Sequence, residues 1–284
     1  NGTTDFDPSP EGVDNHFSAS SNDAFLSKID SNGNYLWAVT WGGTGADNCF
    51  DIIEDSNDNI YVAGSFRDTV DFDPSGGVDN HTSIGSADAF ISKFDTNGNF
   101  QWALTWGGVN IDYSLCVSVD TNDDVYVSGR FRFTADFDPS PGGNDTHSSL
   151  GACDVFLSKF DPNGNFLWVK IFGGPASDRC YGLNIYDNSS IYLTGYHSGG
   201  VDFDPGPGID MHSAYGSRDI FLSKFDSNGI FQWAETWGGT DYDLGRRVTT
   251  DLAGIVYVTG SFEGSVDFDP GISTETRVSS GDKD

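Results

Sequence analysis

The stretch Val70–Gly129, VDFDPSGGVDNHTSIGSADAFISKFDTNGNFQWALTWGGVNIDYSLCVSVDTNDDVYVSG, is copied with substitutions along the whole chain. Asp-Phe-Asp-Pro begins at Asp5, Asp71, Asp136, Asp202 and Asp267, at steps of 65 or 66 residues. Ser-Lys-x-Asp recurs at Ser27, Ser92, Ser158 and Ser223, and a Gly-Gly pair at Gly42, Gly107, Gly173 and Gly238. A fixed period of this length marks a repeat architecture, in which no single unit can bury its own apolar surface. The chain reads as one repeat domain over 1–284, with units at about 1–66, 67–131, 132–197, 198–262 and a partial fifth at 263–284.

Inside one unit, Ala89–Phe94 alternates, with Phe90, Ser92 and Phe94 on one face and Ala89, Ile91 and Lys93 on the other, which predicts a strand. Asn97-Gly98 then turns the chain back, as do Asn32-Gly33, Asn163-Gly164 and Asn228-Gly229. Phe100, Trp102, Leu104 and Trp106 give a second strand with an aromatic face. After Gly107-Gly108, Leu115–Val119 and Val125–Phe131 read as the third and fourth strands, joined by the tight turn Asp120–Asp123. A lone four-stranded meander leaves both faces wet and is unstable, so neighbouring units must cover them. Stacking such sheets around an axis is the propeller solution, and an open solenoid is the alternative.

Composition agrees with an all-β chain. Of 43 acidic residues only Glu11, Glu54, Glu235, Glu263 and Glu275 are Glu; the other 38 are Asp, a turn former rather than a helix former. The formal charge of −29 repels nucleic acid and anionic membrane surfaces but suits divalent cations. No run of about 18 apolar residues exists to insert into a membrane. The chain begins and stops in mid-repeat, Asp284 standing at the position of Asp88, and so reads as a piece of something longer. Cys49, Cys116, Cys153 and Cys180 lack Cys-x-x-Cys spacing; one disulfide or buried thiols both suit them. Sequons at Asn1, Asn80, Asn144 and Asn188 hint at a secreted glycoprotein.

The ordered motifs Asp-Ala-Phe-x-Ser-Lys-x-Asp-x-Asn-Gly, Trp-x-x-x-x-Gly-Gly and x-Val-Asp-x-Asn-x-x-Val-Tyr-Val-x-Gly resemble the SBBP-type beta-propeller repeat of large bacterial and archaeal secreted or surface proteins. The likeness covers nearly the whole chain. It implies a propeller in an extracellular setting and no defined activity. It also implies blades running from the Leu115-type strand, innermost, to the Trp102-type strand, outermost. Three blades are then continuous, and a fourth combines Arg246–Phe262 with the N-terminal strands Ala24–Ile29 and Tyr35–Trp41. Four blades with this composite closing blade are the expectation; an arc of a seven-bladed ring is the alternative.

Candidate site residues lie in the loops. Asp5 and Asp7, Asp71 and Asp73, Asp136 and Asp138, Asp202 and Asp204, and Asp267 and Asp269 place two carboxylates two apart in extended chain, pointing the same way, with the Phe between them turned inward. Each complete linker adds an acid and a histidine: Asp14 and His16, Asp79 and His81, Asp145 and His147, Asp210 and His212. Three readings follow: carboxylates capping backbone amides with the His as loop anchor, a Ca²⁺ site in each linker, or a transition-metal site using the His. Trp37, Trp102, Trp168 and Trp233, with Trp41, Trp106, Phe172 and Trp237, either fill gaps between blades or form a sugar-stacking platform. No Gly-x-Ser-x-Gly, His-Glu-x-x-His or phosphate loop is present. The residues that break the repeat, His197, Arg246, Arg247, Lys170 and Glu235, form no recognisable constellation, beyond a Lys170–Glu235 ion pair or interaction spot.

The expected role is therefore a non-enzymatic structural or adhesive module of a secreted or cell-surface protein, joining copies head to tail into filaments or contacting other surface proteins. A carbohydrate-binding propeller is the alternative, and Ca²⁺ the only cofactor the sequence suggests.

Overall fold

The computed structural model describes residues 2–18 and 22–281. Asn1, the first residue of its sequon, and Asp284 lie outside the described residues. In the first unit the strands are β1 (Gly2–Asp5), β2 (Asn15–Ser18), β3 (Ala24–Ile29), β4 (Tyr35–Gly43), β5 (Asn48–Glu54) and β6 (Ile60–Phe66). The second holds β7 (Thr69–Asp71), β8 (Asn80–Thr82), β9 (Asp88–Phe94), β10 (Phe100–Gly108), β11 (Tyr113–Val119) and β12 (Val125–Arg130). The third holds β13 (Thr134–Asp136), β14 (Thr146–Ser148), β15 (Val155–Phe160), β16 (Phe166–Phe172), β17 (Arg179–Tyr186) and β18 (Ser190–His197). The fourth holds β19 (Gly200–Asp202), β20 (Met211–Ser213), β21 (Asp219–Asp226), β22 (Phe231–Trp237), β23 (Leu244–Thr250) and β24 (Val256–Ser261), and β25 (Ser265–Asp267) with β26 (Thr276–Val278) follows. Among the described residues there is no helix.

The turns show where the Asp excess goes. In each Asp-x-Asn-Gly turn the Asp carboxylate accepts the amides two and four residues on: Asp95 from Asn97 and Asn99 at 2.8 and 2.9 Å, Asp161 from Asn163 and Asn165, both at 2.9 Å. Gly98 completes the turn at φ +80°, a conformation that glycine adopts without strain. These bonds hold the Asp30, Asp95 and Asp161 carboxyls below their usual range, the neighbouring Asn side chain and amides outweighing what burial adds.

Three antiparallel ladders of four long strands form, ordered β5-β6-β9-β10, β11-β12-β15-β16 and β17-β18-β21-β22, the first extended by β13-β14 into a six-stranded sheet. Each straddles two sequence units, running from the Leu115-type strand to the Trp102-type strand as the resemblance implied. Their faces pack on one another. Phe90 and Phe94 of β9 join Leu26, Trp41, Val62 and Phe72 in one core, while Ala89 and Ile91 join Val125, Val127, Phe156 and Phe160 in another. The alternation expected of Ala89–Phe94 thus becomes burial in two separate cores, and every residue of β9 is buried. Further cores lie between the second and third sheets, around Val155, Leu193 and Phe221, and between the third sheet and β23–β24, around Tyr192, Leu222 and Val248. The strands β5, β11, β17 and β23 are successive neighbours, so the sheets stack face to face about a common axis in a propeller-like arrangement.

The linkers form short hairpins on the outer strands. β7–β8 continues from β4 through Gly42↔Asp71 and Gly43↔Val70, and β13–β14 from β10 through Gly107↔Asp136 and Gly108↔Ala135. The Gly-Gly pair is required by this close approach, since a Cβ on Gly108 would lie 1.9 Å from the Thr134 carbonyl oxygen.

The ladder that would join the two halves of the expected composite blade is not formed. β23–β24 stands as a two-stranded sheet, and β3–β4 carries the linker hairpin β7–β8 on its outer strand, as β10 carries β13–β14. Each half is held through its face, β3–β4 against Val62, Phe66 and Phe90 and β23–β24 against Tyr192 and Leu222, and the ladder between β24 and β3 is not made. Near the axis the first and fourth units do meet, Arg247 Nη2 standing 3.8 Å from Asp51 Oδ1.

Candidate functional site

The Asp-Phe-Asp-Pro carboxylates serve the backbone. Asp71 Oδ1 accepts the amides of Asp73 at 3.1 Å and Asp79 at 2.8 Å, while Asp73 Oδ1 accepts the Ser75 amide at 2.8 Å and its hydroxyl at 2.6 Å. Asp5 and Asp7, Asp136 and Asp138, and Asp202 and Asp204 repeat the pattern, and Asp267 and Asp269 follow it with the Glu275 and Gly271 amides. The two acids of a pair therefore cap different amides. Among the described residues no three His, Cys, Asp or Glu side chains are grouped to hold a metal ion.

The linker histidines anchor the loops. His81 Nδ1 lies 2.9 Å from Thr105 Oγ1 on β10 and Nε2 lies 3.3 Å from Asp79, with the ring edge-on to buried Phe72 at 5.4 Å. His16 and His212 make the same contacts to Thr40 and Thr236. The inward turn expected of Phe72 holds, as it does for Phe137 and Phe203, all fully buried.

The Trp rows are spent on packing between units. Trp102 packs on Tyr61, Trp168 on Tyr126 and Trp233 on Tyr192, with ring centroids about 6 Å apart. Trp37 and Trp102 also lie beneath the Gly98 and Gly164 turns of the next unit, where a Cβ would come within 3.1 and 3.3 Å of the indole. No Lys170–Glu235 ion pair forms among the described residues; the Lys170 ammonium lies 5.5 Å over the Trp168 ring. His197 fills the core position held by Phe66 and Phe131 in other units, edge-on to Phe203 as those are to Phe72 and Phe137, and burial pulls its pKa down to about 4. Asn80 and Asn144 are exposed, but the Asn188 side chain is bonded to the Thr121 amide at 2.8 Å. No disulfide forms: Cys116 and Cys180, on adjacent innermost strands, are buried thiols with their Sγ atoms 3.6 Å apart.

A second set of acids is buried beside the Gly-Gly corners. Asp112 Oδ2 accepts the Gly108 amide at 2.8 Å and Oδ1 the Arg132 amide at 2.9 Å, and Asp178 holds Gly174 and Ser198 in the same way. Burial pushes Asp88 and Asp178 up to about 7 and Asp112 and Asp154 up to about 6, their bound amides opposing only part of it.

The constellation that the sequence did not reveal sits on the axis. Each innermost strand carries a β-bulge at the same repeat position, with register shifts between Cys49 and Asp51, Ser114 and Cys116, Cys180 and Gly182, and Gly245 and Arg247. A bulge re-aims the extra side chain, and here the extra residues are Phe50, Leu115, Tyr181 and Arg246. All four line a cavity of about 490 Å³ together with Tyr113, Arg179 and Arg247. Tyr181 is its hub: the Arg246 guanidinium lies 4.7 Å over the ring, Arg179 Nη1 is 3.4 Å from the hydroxyl, and Arg247 Nη1 donates to the carbonyl at 2.6 Å. Aligning the units at this position, where three apolar residues give way to Arg246, is the sequence signal that would have found it.

No protein-family model matches this chain. It is 27% identical over 242 residues to an uncharacterized WD repeat-containing protein of Acanthamoeba polyphaga mimivirus, across 74% of this chain and 17% of that one. It is also 26% identical over 249 residues to the regulatory protein FlaEY of Caulobacter vibrioides, across 82% of this chain and 24% of that protein. The chain thus spans less than a quarter of the length of either curated relative. These likenesses and the fold agree on a repetitive β protein with propeller-like units.

Proposed function

We propose that this chain is a non-catalytic propeller module of the SBBP type, acting at the cell surface or outside the cell, and that it joins copies of itself through strand edges. One observation carries the reading: β24 and β3 each lack the ladder partner that their counterparts have. In the continuous sheets a β6-type strand pairs with a β9-type strand through Val62↔Ser92, Val127↔Ser158 and Leu193↔Ser223. The fourth unit has Val258 in that place with no strand opposite, and the first has Ser27 with no strand on its inner side. An unpaired edge is a template for another strand. β24 of one copy offers the edge that β3 of the next would fill, a heterologous contact that propagates unless it closes. The recurring acids and histidines are engaged within the fold, which favours a structural role over catalysis. The sugar-platform alternative loses ground because Trp37, Trp102 and Trp168 lie beneath neighbouring turns.

The test places cysteines at Val258→Cys and Ser27→Cys in a Cys49→Ser background and oxidises the intact chain. Directly opposed strand residues come close enough for a disulfide. A ladder of cross-linked multimers on a denaturing gel supports head-to-tail joining. Cross-linking confined to single chains would instead show that the fourth blade closes on itself, and that assembly through these edges is wrong.

A further inference from the structure

The axial cavity gathers positive charge in an acidic protein. Of its 14 Lys and Arg residues, Arg179, Arg246 and Arg247 line this single cavity. They are not equally occupied. Arg247 is committed to the Tyr181 carbonyl and to Asp51. Arg179 and Arg246 have no carboxylate within ion-pairing distance among the described residues, and the buried Arg179 Nε has no hydrogen-bond partner. Arg179 keeps one bond to the Tyr181 hydroxyl and Arg246 lies over the Tyr181 ring, and the N–H donors left on a guanidinium without a carboxylate partner match a planar carboxylate.

The walls complete the recognition. Tyr181, Tyr113 and Phe50 present ring surface beside the two arginines, with Phe50 and Tyr113 in contact at a 5.5 Å centroid distance, their planes tilted by 44°. A cavity of about 490 Å³ is the size of a small-molecule site, and aromatic walls with a few convergent polar groups are what such sites are made of. We propose that the axial cavity binds a small carboxylate carried on a ring, its anion held by Arg246 and Arg179 and its ring body against Tyr181, Tyr113 and Phe50. This goes beyond the edge-joining reading and is independent of it, since the cavity is built from β5, β11, β17 and β23 and not from the free edges.

Calorimetric titration of the intact chain tests it, with benzoate and glucuronate as ring carboxylates, benzamide and glucose as neutral counterparts, and inorganic phosphate as the bare anion. One ring carboxylate is expected to bind at a single site, at least about tenfold more tightly than its neutral counterpart and than phosphate. Preference for benzoate assigns an aromatic acid, preference for glucuronate a sugar acid. Arg246→Gln, at an exposed position, should weaken binding about tenfold or more with the melting midpoint unchanged, and Arg179→Gln should weaken it independently. Absence of heat with both ring carboxylates, equal binding of a neutral counterpart or of phosphate, or unchanged affinity in both arginine variants overturns the proposal.

Discussion

The third sheet position of the continuous blades and the same position in the divided blade carry nearly the same sequence and differ in surroundings. Val155–Phe160 in β15 is buried at every residue, whereas in β3 Phe25 and Ile29 are each 55% exposed. One strand inward, β18 is buried throughout while Tyr257 of β24 is 54% exposed. The alternation of apolar residues makes the strand in both cases. Burial comes from the neighbour in the ladder and the sheet across the face, and the divided blade has only the second.

The largest expected effect of that difference is on core truncation. Phe156 is fully buried between the first and second sheets, so Phe156→Ala should cost about 3–5 kcal/mol in chemical denaturation, whereas Phe25→Ala, at the same repeat position, should cost about 1 kcal/mol or less. Equal costs would mean that β3 is covered in solution, and the contrast between the two regions would be gone.

A smaller effect should appear with pH. Asp88, Asp112, Asp154 and Asp178 have folded-state pKa values raised above the usual 3.8, so the folded chain keeps protons that the unfolded chain has released. Their contribution is present at acidic pH and is lost as pH rises through about 6 to 7. His197, lowered to about 4, opposes this between its ordinary pKa and 4, as one group against four. The turn acids Asp30, Asp95 and Asp161 are lowered and lose their contribution only as pH falls below the ordinary carboxylate range. The melting midpoint should therefore be higher near about pH 5 than near about pH 8, and Asp88→Asn should flatten that rise. A midpoint that climbs steadily from pH 5 to pH 8 would contradict it.

The smallest expected effect is that of a chelator. Because the Asp71 and Asp73 carboxylates already cap the loop amides, and their copies do likewise, EDTA should leave the melting midpoint in place. Saturating Ca²⁺ at a hundred times its dissociation constant would add about 2.7 kcal/mol, so a fall in EDTA would restore the linker cation site.

Much of the architecture was legible from local pattern. Asn97-Gly98 turns where expected, Phe90 and Ile91 face opposite ways, and the strand order from Leu115 type to Trp102 type is the one found. The axial site was not legible, because Arg246 and Arg247 are adjacent in sequence to nothing that explains them, and Phe50, Tyr113 and Arg179 are far away along the chain. The meeting of the innermost strands at the axis brings them together, and the bulges swing Phe50, Leu115, Tyr181 and Arg246 into the same cavity.

What the sequence determined alone is everything governed by neighbours a few residues away: strand period, turn chemistry, and the repeat that forces one unit onto the next. Which edges remain unpaired, and which repeat-breaking residues share a cavity, was decided by the tertiary structure. Both depend on how the first and fourth units meet across the 196 residues between Asp51 and Arg247, a relation set by face packing and bulge geometry that no local pattern encodes.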